Sequence, residues 1–97
     1  MFKKTKEFDP ADYLASDESI AAYLNEALET GDAAFIADAI GVIARARGMA
    51  DVASKSGMSR ESLYRSLSAT GNPELATVMK VLAAMKLRLA ALPVEAA

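Results

Sequence analysis

GMADVASKSGMSRESLYRSLS, residues 48–68, has the spacing of two short helices crossing at a tight bend. Val52 and small Ala53 permit a close crossing, Gly57 accepts a left-handed backbone in the turn, and Leu63 starts the inward face of the second helix. Met58 packs beneath the turn, and Ser59 caps the second helix by offering its hydroxyl to an amide near Ser62. With Leu63 and Leu67 inward at i and i+4, rotation by about 100° per residue turns Glu61, Tyr64, Arg65 and Ser68 outward, with Arg60 at the flank. Arg can hold guanine with two hydrogen bonds, Glu can accept from cytosine N4, and a tyrosine ring can cover a thymine methyl or bond a phosphate. An ordinary solvated helix is the competing explanation, because Glu61 and Arg65 stand at i and i+4 and could satisfy each other.

Working outward, the chain reads as helices separated by Gly and Asn-Pro breaks. Asp9-Pro10 opens a short first helix carrying Tyr13 and Leu14. Ser16 or Asp17 caps a second that runs to Thr30 with Ile20, Leu24, Ala27 and Leu28 on one face, and Gly31 stops it. Asp32 caps a third, with Phe35, Ile36, Ala39, Ile40 and Ile43 inward and Arg45 and Arg47 in its last turn before Gly48. Gly41, costly in mid-helix, implies a neighbour at close range. Beyond the quoted run, Asn72-Pro73 opens a last helix over 72–85 with a core stripe of Leu75, Val78, Met79, Leu82 and Met85. The sequence then alternates Leu87, Leu89 and Ala91 with Arg88 and Ala90, the period of a short strand over 87–92. Such a strand needs a partner, either FKKTKEF (residues 2–8) or a second copy of the chain; a frayed tail is the other reading.

Composition bounds the function. The 97 residues, 53% of them hydrophobic, suffice for one small domain over 1–97: a helical part at 9–47, the two-helix motif at 49–68 and the last helix. There is no Cys and no His, so disulfides, thiolate metal sites and the commonest general base are excluded, no cofactor is expected, and an enzyme is not expected. No stretch is long enough to cross a bilayer and the start lacks a signal-peptide core, so a cytoplasmic protein without membrane contact is expected. Net charge is −2, but it is divided: residues 1–48 hold five Lys and Arg against nine acids, and residues 49–97 hold six against four. The second half suits a polyanion, and the acidic run Glu26, Glu29, Asp32 and Asp38 suits either solvent or a basic protein.

ARARGMADVASKSGMSRESLYRSLSATGNPELATVMKVLAAMKLRL, together with the upstream DPADYLASDESIAAYLNEALETGD, resembles the addiction-module antidote proteins, HigA-like antitoxins of the lambda-repressor (XRE) helix-turn-helix class. SRESLYRSLS followed by GNP is the most specific part. The resemblance implies an all-α, five-helix DNA-binding domain, usually a homodimer, that represses its own operon and neutralises a RelE/ParE-type toxin encoded beside it. By the same resemblance Ser59, Arg60, Glu61, Tyr64 and Arg65 are the operator-reading positions. The family commonly has Ser or Thr then Gln where this chain has Ala50-Asp51, and often Gly where it has Lys86; Asp51 favours the helix dipole but repels a phosphate.

The expectation is therefore a dimeric repressor and antitoxin whose two recognition helices enter major grooves about 34 Å apart on a double-stranded operator. Lys55, Arg60 and Arg65, with Arg45 or Arg47, would hold phosphates, and Glu26 and Glu29 with the N-terminal part would meet the toxin. A prophage-type repressor without a toxin, and a helical interaction module that has lost DNA binding, are the alternatives.

Overall fold

In the computed structural model, which describes residues 9–95, the chain forms a short 3₁₀ turn at Pro10–Tyr13 followed by α1 (Asp17–Glu29), α2 (Ala33–Arg47), α3 (Met49–Ser56), α4 (Arg60–Ser66) and α5 (Leu75–Ala84). Each start has a local cause. Asp9 accepts from the Ala11 amide ahead of Pro10, Ser16 and Ser19 exchange bonds in a capping box, and the Asp32 carboxylate accepts from Ala34 and Phe35. Such caps are worth about 1 kcal/mol each and define where a helix begins far more sharply than propensity does. α2 stops at Gly48, which also opens α3, and α3 stops at Gly57 with φ 75°, a left-handed conformation that lets the Met58 amide reach back to the Ala53 carbonyl at 3.1 Å.

One contiguous core joins the elements: Ile20 and Leu24 of α1, Ile40 and Ile43 of α2, Val52 of α3, Leu63 and Leu67 at α4, and Val81, Leu82 and Met85 at α5. Full burial of each large aliphatic side chain contributes about 1.5–3 kcal/mol against the entropy of ordering it. α1 packs on α2, α2 also touches α3, α4 and the 3₁₀ turn, and α3 packs on α5. Gly41 lies where α2 meets the end of α4: a Cβ there would run into the Leu67 carbonyl, so the close approach expected from this mid-helix glycine is what the fold contains.

Four expectations are corrected. The last helix begins at Leu75 rather than Asn72, because Gly71 lies against the carbonyls of Arg65 and Ser66 and Glu74 is still extended (ψ 156°), carrying the chain past Asn72-Pro73 before it can coil. Its inward face is also rotated: Val81 is fully buried while Leu75 and Met79 are 69% and 48% exposed, because α5 packs chiefly on α3 and needs only a narrow face. Phe35, placed inward from its spacing, is likewise 49% exposed. Residues 87–92 form no strand among the described residues; Leu87 and Leu89 do turn to the core and Arg88 and Ala90 outward, but no backbone lies alongside to make a ladder, and FKKTKEF falls outside the described residues.

Lys86, the one non-glycine residue at positive φ (62°) among the described residues, ends α5. The Lys86 amide bonds to Ala83 at 3.0 Å and the Leu87 amide to Leu82 at 2.8 Å, the paired bonds of a Schellman close, with Leu87 packed back on the core. No helix among the described residues is long and apolar enough to cross a membrane.

Candidate nucleic-acid interface

α4 is a single two-turn helix with two sides of different character. Leu63 is 0% exposed and Leu67, its C-cap, 4%, and these anchor it against α2 and α3. The Ser59 hydroxyl oxygen accepts from the Ser62 amide at 3.0 Å, and Ser66 back-bonds to the Ser62 carbonyl at 2.9 Å, so the short helix is tied at both ends by its own serines. The opposite arc carries Arg60, Glu61, Tyr64 and Arg65, all exposed, with Tyr64 at 47%. Ser68, placed on this outward face from its spacing, is half-buried with its hydroxyl donating to the Arg65 carbonyl at 3.2 Å.

Electrostatics separates this arc from the end of α2. Glu61 and Arg65 form no ion pair, and neither does Arg60, among the described residues. Four residues of spacing would allow the pair, so both guanidinium groups are left with all five donors free for an outside acceptor. Arg45 and Arg47 are treated differently: Arg45 binds Asp9 at 2.8 Å and Arg47 binds Asp17 at 2.7 Å, which pins the end of α2 to the 3₁₀ turn and to the start of α1.

Lys55 stands apart from the α4 arc. It pairs with Asp51 at 3.2 Å, which also compensates the acid at the start of α3, and it lines an open groove of about 390 Å³ with Ser56 of α3 and with Lys80, Ala83, Ala84 and Lys86 of the α5 end. No α4 residue lines that groove. Spacing did not single out Lys80; its only signal was a lysine on a helix otherwise read as core, whereas Lys86 was marked by standing where the family it resembles often has Gly. α3 has no side-chain cap: its N-cap is Gly48, and Ala50 lies two residues inside the helix, past the position where a capping hydroxyl would act.

Glu26 and Glu29 occupy the last turns of α1, exposed and in no ion pair among the described residues. Asp32 and Phe35 follow directly across the turn into α2, so acids and an exposed aromatic share that corner. Tyr23, on the inner side of α1, has its hydroxyl pKa raised by burial and by the carboxylates of Asp38 and Asp9, with Arg45 acting in the opposite direction.

A family model described as "Probable addiction module antidote protein" matches residues 4–93. An uncharacterised protein of Haemophilus influenzae is 50% identical over 88 residues, covering 91% of each chain. No solved structure matches. The chain belongs to the addiction-module antidote family.

Proposed function

From that membership we propose that the protein is the antidote of a toxin–antitoxin pair: it neutralises a RelE/ParE-type toxin and, as a homodimer, represses its own operon by laying α4 into the major groove of operator DNA. The antidote family implies a toxin partner. The observation that carries the DNA half is the unpaired state of Arg60, Glu61 and Arg65 on one exposed arc, above a side that is completely buried. A merely solvated helix gains a few tenths of a kcal/mol by closing the Glu61–Arg65 pair, and here it is open. Arg60 and Arg65 serve guanine edges or phosphates, Glu61 a cytosine amine, Tyr64 a thymine methyl, and Ser59 holds the helix start at the groove floor. Lys55 contributes long-range attraction rather than a base contact.

The toxin half rests on the acidic first half of the chain, with Glu26 and Glu29 as the contacting carboxylates. Titration of the duplex upstream of the gene at several salt concentrations tests the DNA reading: binding falls steeply with salt, and Arg65→Ala flattens the slope by about one unit. Absence of binding at low salt would leave a helical interaction module instead. For the toxin, removal of residues 1–12 together with Glu26→Gln and Glu29→Gln should weaken capture of the neighbouring gene's product; unchanged capture would reject those contacts.

A further inference from the structure

We propose that the groove between α3 and α5 is a second anion site, separate from the α4 arc, that takes phosphate groups on Lys55, Lys80 and Lys86. Two independent features carry this. The first is charge: three ammonium groups and, among the described residues, no carboxylate line one open groove of about 390 Å³. Like charges gathered in this way repel, and a chain with 13 acids against 11 Lys and Arg has carboxylates available to neutralise them. Lys55 takes one, Asp51, while Lys80 and Lys86 have none within ion-pair distance among the described residues.

The second feature is the backbone of Lys86. At φ 62° it occupies a position where glycine is the unstrained choice and an L residue is strained. A stabler residue is thus forgone at the one place that completes the lysine set. Phosphate rather than carboxylate fits the lining: lysine ammoniums are compact, mobile point charges that follow a run of phosphates, and the floor of Ala83 and Ala84 offers no fixed fork for a single planar acid. A phosphodiester backbone and a free polyphosphate share that chemistry.

The test uses the full chain with two probes, sodium tripolyphosphate and a 20-base-pair duplex, read by amide chemical shifts and calorimetry. Tripolyphosphate should shift Ser56, Ala83, Ala84 and Lys86 saturably, and K80Q/K86Q should weaken it at least tenfold while Arg88→Gln, a cation outside the lining, leaves it within twofold. Lys86→Gly should raise Tm by about 4–8 °C and still weaken binding, a split that damage to the fold cannot produce. If K80Q/K86Q lowers the duplex salt slope by about 1.8, the phosphates are those of nucleic acid; loss of tripolyphosphate binding with an unchanged duplex slope makes them free. Shifts spread evenly over all Lys and Arg, or equal binding by K80Q/K86Q, would overturn the site and leave the α4 reading standing.

Discussion

α2 and α4 each carry two arginines, and the molecule uses them in opposite ways. Arg45 and Arg47 reach acids 36 and 30 residues away and are held there at 2.8 and 2.7 Å. Arg60 and Arg65 decline an acid on their own helix, four residues from Arg65. Where the fold needs a cation, it ties the cation to a distant element; where charge is left open, the backbone beneath is secured by other means, here Leu63, Leu67 and the serine cap. On α4 the groups that hold the fold and the groups left open are thus different atoms of the same helix. Substitutions on one side of α4 should change folding and not affinity, and those on the other the reverse.

The largest effect should come from breaking the joint between the two helices. Gly41→Ala drives a methyl into the Leu67 carbonyl, main-chain against main-chain, so the neighbour cannot rotate away. Overpacking of this kind costs about 1–3 kcal/mol or more, a large part of the margin of a small domain. Thermal unfolding should show Tm lowered by on the order of 10 °C, with DNA affinity reduced because α4 is displaced. An unchanged Tm would mean that the α2–α4 contact is looser than the geometry indicates.

Arg65→Ala sharpens the contrast from the other side. Under the proposed DNA reading, removing this guanidinium should weaken duplex binding about 10- to 100-fold, equivalent to about 1–3 kcal/mol, while Tm stays within a degree or two because the side chain is exposed and unpaired. Equilibrium titration and a melting curve on the same sample check both halves. Arg45→Ala and Arg47→Ala should do the converse at smaller scale. Exposed ion pairs are worth about 0–1 kcal/mol, so each should lower Tm by a few degrees at low salt, less at high salt, and leave the DNA affinity within twofold.

The same contrast explains what could be read from the sequence. The Ser59 cap, the Gly57 turn and the inward Leu63 and Leu67 were legible because each depends on residues a few positions apart. Gly41 was legible as a close approach, though not its partner. What was missed depends on which element comes alongside: Phe35 lies outside any helix contact that would cover it, and Leu75 and Met79 are exposed because α5 rests on α3 along a narrow line. Periodicity gives the phase of an apolar face but not its width. The pairs of Arg45 and Arg47 join residues 36 and 30 positions apart, and no local pattern announces them. For the candidate site, residue types pointed to α4, but only coordinates could show that Glu61 and Arg65 do not close on each other.

Tyr23 offers the smallest and most specific test of the α1–α2 half. Burial and the carboxylates of Asp38 and Asp9 raise its pKa above 10.0, outweighing Arg45. A raised value means that the folded state holds the phenolic proton more tightly than the unfolded state, so this contribution is complete below about pH 10 and is lost as pH rises through the folded value. The difference between two proteins is the informative quantity. Tyr23→Phe, which cannot ionise, should show a shallower fall in stability across pH 10–11.5 than the parent, measured by denaturant unfolding. Arg45→Ala should act in the opposite sense, since losing the one cation that stabilises the phenolate raises the Tyr23 value further and steepens that fall. Parallel curves for all three proteins would mean that the ion pair of Arg45 with Asp9 and the ring of Tyr23 do not form one electrostatic unit, and that the α2 arginines are secured by Asp9 and Asp17 alone.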